Sequence, residues 1–174
     1  LLDLLARTKA NVLPAVPTLL NAVARADTTK AEHLASLEVA ISGGAALPDE
    51  VRNAFAKKSK AILAEGYGLT EASPVVCCAA LRVASKPMSI GLPLPGTDIR
   101  FIDVDTKKEV GIGENGELQV KGAQVMPGYF ENPEATAEAF DDGWLRTGDV
   151  GHMDEDGYVF LVDRIKDLII CSGF

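Results

Sequence analysis

The sequence predicts an α/β protein: a partial doubly wound, mostly parallel sheet with helices, followed by a small antiparallel β-barrel-like subdomain. Three observations support this fold class. Helix and strand patterns alternate through residues 1–86, turn residues separate short strands through residues 87–163, and hydrophobic residues make up 47% of the 174-residue chain. A chain of this length and composition can bury a substantial core.

The first half has the order α-β-α-β-α-β. Leucines on one face predict a helix over residues 1–8, Pro17 suits the first turn of a second helix, and Asp49 and Glu50 mark the start of a third that reaches about Lys58. Strands are predicted at 11–16, 37–42 and 61–64. Ligands bind beyond the carboxyl ends of such strands, so the segments after residues 42 and 64 could face one cleft.

The second half contains short strands, predicted at 99–104, 116–121, 149–153 and 158–162, with one helix near 133–140. Turn signals at 114–116 and 154–157 lie between strands and favour antiparallel pairing. A charged stretch from residue 164 to the end is predicted to be a hinge and the start of a further domain.

Composition narrows the function classes. A net charge of −8 argues against nucleic acid or an anionic membrane as the main partner, and no apolar run approaches the roughly 20 residues needed to span a bilayer. Cys77, Cys78 and Cys171 are too few and too irregularly spaced for a zinc site or a disulfide framework, so we expect packed thiols in a reducing, cytoplasmic setting.

The hexapeptide Gly66–Glu71 carries the clearest chemical signal. Tyr67 could stack on a base, Gly68 lets the backbone approach a ligand, Thr70 could donate to a phosphate oxygen, and Glu71 could ligate Mg²⁺, which prefers oxygen ligands. The alternative is a helix N-terminus, with Thr70 as the cap and Glu71 favouring the helix dipole. The hexapeptide alone does not decide between them.

Three other segments have a functional and a purely structural interpretation. Gly43, Gly44 and Ala45 would let a flat ring or an acyl chain lie against the backbone, or else form a tight turn with positive φ. Asp149 could accept hydrogen bonds from two ribose hydroxyls, or occupy a turn. Arg164, in the charged run 163–167, could reach a sugar or phosphate, or belong to a solvated hairpin.

Taken in order, these motifs resemble the adenylate-forming superfamily of acyl-CoA synthetases, adenylation domains and luciferases. The resemblance covers essentially the whole chain and looks closest to long- or medium-chain fatty acyl-CoA synthetases. The motifs that carry it are Val16-Pro17-Thr18, Ser42–Ala45, Tyr67–Glu71, Gly91–Gly96, Gly116-Glu117-Leu118, Met126–Tyr129, Gly143–Asp149 and Asp163–Asp167.

The resemblance implies a role for each matching residue. Gly43, Gly44 and Ala45 would border the adenine and acyl groups, and Tyr67, with Gly68 beside it, would stack on adenine. Thr70 would contact the α-phosphate and Glu71 would hold Mg²⁺. Asp149 and Arg164 would bind the ribose hydroxyls, and Lys166 would be the hinge of a C-terminal domain.

The resemblance also implies a reaction: ATP activates a fatty acid as acyl-AMP, and coenzyme A then accepts the acyl group. The family's phosphate-binding loop and its C-terminal catalytic lysine have no match here, so we expect an internal piece of a longer enzyme that is inactive by itself. Two alternatives remain open, an adenylation domain that loads a carrier protein and a non-catalytic nucleotide-binding relative. We also expect self-association through uncovered apolar surface, and a cytoplasmic location with peripheral membrane binding left open.

Overall fold

The computed structural model describes residues 1–79 and 86–165, which form two compact units. The first unit contains Leu1–Gly66 together with Ala79, and the second contains Tyr67–Cys78 together with residues 86–165. Each unit is described by itself. The functional division expected at residues 86/87 and 163/164 stays a prediction.

The first unit is a three-stranded parallel sheet with helices. Strand β1 pairs with β2, and β2 pairs with β3, both in parallel. The elements are α1 (Leu2–Thr8), β1 (Val12–Ala15), α2 (Pro17–Arg25), β2 (Val39–Ser42), α3 (Asp49–Lys58) and β3 (Ile62–Gly68), with a 3₁₀ turn at Ala31–Leu34. The last two residues of β3, Tyr67 and Gly68, already belong to the second unit.

Spacing of apolar residues explains how the helices of the first unit pack. Leu20 and Val23 of α2 are buried at a three-residue interval, and Val51 and Phe55 of α3 at a four-residue interval, so each helix presents one apolar face. These side chains join a buried cluster that includes Ala40 of β2. The predicted helix starts at Pro17 and Asp49 are confirmed.

The second unit is built mainly from antiparallel strands. One sheet has the order β10-β9-β7-β6 with β8 added to β9, and β4 and β5 pair with each other in antiparallel fashion. The elements are β4 (Val75–Cys78), β5 (Leu92–Pro93), β6 (Thr97–Ile102), β7 (Gly116–Gly122), α4 (Pro133–Ala139), β8 (Phe140–Asp141), β9 (Trp144–Met153) and β10 (Val159–Arg164). The predicted α/β class with an antiparallel second part is confirmed.

One face of the antiparallel sheet forms the core of the second unit. Leu118 and Val120 of β7 alternate with polar neighbours and are fully buried, as are Leu145 of β9 and Val159 of β10. Cys77 lies in the same core without any exposed surface. The expectation that the adjacent thiols of Cys77 and Cys78 pack as small apolar groups is confirmed for Cys77. Cys171 lies outside the described residues.

Several strands are longer than their apolar patterns predict. β3 continues past Ala64 to Gly68, and Ser42 of β2 pairs with Glu65, one residue beyond the apolar run. β9 begins at Trp144 instead of residue 149, and β10 continues to Arg164. Backbone hydrogen bonding thus carries these strands through polar residues and glycines, which a pattern of hydrophobicity does not detect.

No helix within residues 1–79 and 86–165 is long and apolar enough to cross a membrane.

Close strand packing creates a strict requirement for glycine at position 151. A Cβ added to Gly151 of β9 would overlap the carbonyl oxygen of Phe160 on the paired strand β10. Gly111, in an exposed loop, would meet nothing nearer than a Glu114 carboxylate oxygen at 3.5 Å.

We expect Gly151→Ala to lower the free energy of unfolding by about 1–3 kcal/mol, because β9 and β10 must separate to admit the methyl group. Urea unfolding followed by circular dichroism measures the change. Gly111→Ala is the matched control and should stay within about 0.5 kcal/mol of the parent. An unchanged midpoint for Gly151→Ala would contradict the packing described.

Candidate functional site

A buried carboxylate joins two distant segments of the second unit. Asp149 is 4% exposed, and each of its oxygens accepts one hydrogen bond. The hydroxyl of Tyr67 donates to Oδ2 at 2.5 Å, and Nε of Arg164 donates to Oδ1 at 2.5 Å. The structure therefore brings together three residues that the sequence predicted to bind a nucleoside.

Strand geometry positions this group of three residues. Tyr67 is the penultimate residue of β3, and Asp149 lies within β9 directly opposite Arg164, the last residue of β10. Thr147 fixes the local backbone, since its hydroxyl donates to the carbonyl of Leu118 at 2.8 Å and accepts from the Asp149 amide at 3.1 Å. Arg164 therefore belongs to a paired strand instead of the charged connector expected from the sequence.

Burial sets the protonation state of Tyr67. Removal of its side chain from solvent raises the pKa of the phenol well above the usual value of about 10, and the hydrogen bond to Asp149 raises it further. The neutral hydroxyl is therefore retained as a donor to the carboxylate. Among the residues that the structure describes, two side-chain donors use Asp149, whereas a carboxylate can accept about four hydrogen bonds.

The second half of the hexapeptide forms a short 3₁₀ turn, Thr70–Ala72. The N-cap position is Leu69, and no side chain caps the turn, so the alternative in which Thr70 is a helix cap is wrong. The Thr70 side chain is exposed, and no residue within the described ranges hydrogen-bonds to its hydroxyl. It is therefore accessible to an external acceptor.

Glu71 is half-buried and is held at two atoms by one loop. Its backbone carbonyl accepts from the Met126 amide at 2.7 Å, and its Oε1 accepts from the Tyr129 hydroxyl at 2.8 Å. The hydrogen bond and the negative charge of Glu71 raise the pKa of the Tyr129 phenol. Sequence reasoning noted the Met126–Tyr129 motif but missed the Tyr129 contact, because no regular spacing links residues 71 and 129.

Local backbone structure explains why glycine occupies several positions of the predicted site. A Cβ on Gly68 would overlap the Pro74 carbonyl, whose oxygen accepts from the Leu69 amide at 2.8 Å. Gly44 has φ of +81°, which confirms a turn that favours glycine, and the Gly43 amide donates to Ala15 at 3.1 Å. These contacts do not test a ligand role.

The remaining predicted site residues are separated between the units or fall outside the description. Gly43, Gly44 and the exposed Ala45 lie in the first unit, so their expected approach to the nucleotide motif of the second unit stays a prediction. Lys166, predicted to be the hinge, lies outside the described residues.

The donor set around Glu71 fits a magnesium ion bound together with substrate. Among the residues that the structure describes, no group of three His, Cys, Asp or Glu side chains could hold a metal by itself. Glu71 offers one carboxylate whose Oε2 has no hydrogen-bond partner in that part of the chain. Mg²⁺ is commonly held by one or two carboxylates plus substrate phosphates, so this arrangement suits a metal that arrives with a nucleotide.

Comparison with known proteins decides the family. The model of the AMP-binding enzyme family matches residues 1–130. The chain belongs to the AMP-binding enzyme family. Within this family, a long-chain-fatty-acid–CoA ligase of Bacillus subtilis is 42% identical over 173 residues, covering 99% of this chain and 31% of the relative. A 4-coumarate–CoA ligase 1 of Oryza sativa is 38% identical over 181 residues, covering 100% of this chain and 32% of the relative.

Solved structures agree with this membership. The crystal structure of ATP-bound MatB from Rhodopseudomonas palustris superposes with a TM-score of 0.86 at 35% identity, covering 95% of this chain and 33% of that one. This member of the AMP-binding family spans about a third of the length of the relatives it matches.

Because Tyr67 and Arg164 both donate to Asp149, the stability of the folded protein depends on the charge of this carboxylate. We expect Asp149→Asn to lower the free energy of unfolding by about 1–3 kcal/mol, since its amide NH₂ would face one of two donors and leave that donor unpaired. Chemical unfolding at pH 7 measures the loss. Asp98→Asn, at an exposed position of the same unit, is the control and should change stability little. Equal stabilities of the two variants would contradict the buried hydrogen bonds.

The raised pKa of Tyr67 predicts a loss of stability in alkali. The folded chain holds the phenol proton more tightly than the unfolded chain, so the stabilisation is complete below pH ~10 and decreases as pH rises further. Tyr67→Phe should remove this contribution, so that the free energy of unfolding decreases with pH less steeply, by up to ~1.4 kcal/mol per pH unit. Urea unfolding at pH 9, 10 and 11 tests it. Parallel curves for both proteins would show that Tyr67 titrates normally.

Proposed function

We propose that this chain is the adenosine- and metal-binding part of an ATP-dependent, AMP-forming fatty acid–CoA ligase. The observation that carries the proposal is the convergence of Tyr67, Arg164 and the buried Asp149, which come from three separate strands. A carboxylate fixed in this way is a selective acceptor for vicinal ribose hydroxyls, because its orientation is set before the ligand arrives.

Each site residue has a proposed task at the nucleotide. The Tyr67 ring stacks on adenine while its hydroxyl remains on Asp149, and Asp149 and Arg164 bind the ribose hydroxyls. By the motif resemblance alone, Gly43, Gly44 and Ala45 are assigned to the adenine and the acyl group, and Gly68 brings the backbone near the base. Lys166 is the proposed hinge to a further domain.

The phosphates lie on the side of Thr70 and Glu71. The exposed Thr70 hydroxyl donates to the α-phosphate, and Glu71 holds Mg²⁺ through its open oxygen. When bound, Mg²⁺ would neutralise charge on the phosphates. Thr70 would stabilise the charge that develops on the α-phosphate oxygens as the carboxylate attacks, which is the type of interaction that most lowers barriers.

The proposed reaction has two balanced steps. A carboxylate oxygen of the acid attacks the α-phosphorus of ATP, and the bond to the β-phosphate oxygen breaks to release pyrophosphate. The thiolate sulfur of coenzyme A then attacks the acyl carbonyl carbon, and AMP leaves. Identity to a fatty-acid ligase (42%) and to a 4-coumarate ligase (38%) supports the CoA acceptor, and a fatty acid is the proposed substrate.

Acid-dependent exchange of pyrophosphate into ATP tests the proposal, using the full-length protein that carries this chain. Palmitate and octanoate should stimulate exchange more than 4-coumarate, and coenzyme A should then yield the thioester. Asp149→Asn should raise the KM for ATP roughly tenfold or more through loss of charge-assisted hydrogen bonds, whereas Asp98→Asn should not. The isolated 174-residue chain should give no exchange.

Other outcomes identify the alternatives. Exchange followed by acylation of a carrier protein, without a CoA thioester, would indicate a carrier-loading adenylation domain. ATP binding without exchange for any acid would indicate a non-catalytic relative. Exchange stimulated only by 4-coumarate would support the adenylation chemistry but would overturn the proposal that the substrate is a fatty acid.

A further inference from the structure

We propose that Tyr129 is a positioning residue for the metal-binding carboxylate, and that the loop at 126–132 orients Glu71 before Mg²⁺ and ATP arrive. This inference rests on the proposed role of Glu71 as a metal ligand. The loop contacts Glu71 at two separate atoms, through the Met126 amide and the Tyr129 hydroxyl.

The two contacts fix different degrees of freedom of Glu71. The amide of Met126 binds the backbone carbonyl of Glu71 at 2.7 Å, which holds the 3₁₀ turn against the loop. The hydroxyl of Tyr129 donates to Oε1 at 2.8 Å, which limits rotation of the carboxylate. The other oxygen, Oε2, is left for a ligand. A carboxylate restrained in this way loses less rotamer freedom when it binds a metal.

Helix α4 in turn holds the loop rigid. The Tyr129 amide donates to the Thr136 hydroxyl at 2.9 Å, and that hydroxyl donates to the Asn132 carbonyl at 2.8 Å. The Asn132 side chain caps the helix by accepting from the Ala135 amide at 3.0 Å. The backbone of Tyr129 is therefore anchored to the helix through a chain of hydrogen bonds.

Gly128 permits this anchoring. Its φ is +151°, and a Cβ at this position would lie 2.6 Å from the Thr136 methyl carbon. Glycine thus lets the loop approach α4 closely enough for the Tyr129 amide to reach the Thr136 hydroxyl. The neighbouring Phe130 is 90% exposed, whereas the Tyr129 hydroxyl is held on Glu71.

Metal binding to the full-length protein tests the inference without relying on turnover. The probes are Mn²⁺, detected by electron paramagnetic resonance, and the non-hydrolysable β,γ-imido analogue of ATP. Tyr129→Phe removes only the hydroxyl and should weaken Mn²⁺ binding in the ternary complex roughly threefold to tenfold, the range for net loss of one ordinary hydrogen bond, because this contact is exposed to solvent. Affinity for AMP, measured without metal by calorimetry, should not change.

Two further variants separate positioning from general damage. Tyr158→Phe is the matched control, since it removes a phenol hydroxyl elsewhere in the second unit, and it should leave Mn²⁺ affinity unchanged. Glu71→Gln should weaken Mn²⁺ binding strongly, and adding Tyr129→Phe to it should have no additional effect, because Tyr129 acts through the carboxylate.

The outcomes distinguish the two proposals. If Glu71→Gln weakens Mn²⁺ binding but Tyr129→Phe does not, the positioning role is wrong and the proposed function stands. The positioning role would also be overturned if the losses of Mn²⁺ affinity from Glu71→Gln and Tyr129→Phe added fully in the double variant. It would likewise be overturned if Tyr129→Phe lowered the affinity for AMP as much as that for Mn²⁺. If Glu71→Gln binds Mn²⁺ as the parent does, Glu71 is not the metal ligand and both assignments fail.

Discussion

The buried carboxylate of Asp149 is the interaction on which the second unit's site depends. A carboxylate with 4% exposure requires partners, because removal of its charge from water is costly unless hydrogen bonds compensate. Tyr67 and Arg164 supply them from β3 and β10. The hydrogen bonds that stabilise the buried charge therefore also hold the Tyr67 ring, the Arg164 guanidinium and the Asp149 carboxylate close together.

The antiparallel sheet makes this arrangement rigid. Asp149 and Arg164 are opposite each other in the β9–β10 ladder, and the close approach of these strands at Gly151 leaves no room for a side chain there. A site supported by paired strands keeps its geometry better than one supported by a free loop, which matters when the ligand is held by a few hydrogen bonds.

Glu71 has a different kind of support, which suits a different task. Its carboxylate is only half-buried and retains an open oxygen, and its position comes from a loop anchored to α4 instead of a strand ladder. A metal that enters with phosphates needs an accessible ligand, whereas the nucleoside side requires selectivity. The two ends of the hexapeptide thus have contrasting environments that match the contrasting chemistry proposed for them.

The sequence by itself determined the order of helices and strands in the first unit, the helix starts at Pro17 and Asp49, and the family motifs, since these depend on local spacing and residue type. It missed the short strands β4, β5 and β8. It did not predict that β3 continues to Gly68, that β10 reaches Arg164, or that Tyr129 contacts Glu71. Only the tertiary structure decided these features, because each is set by backbone pairing or side-chain contact between residues up to 58 positions apart, where local pattern carries no information.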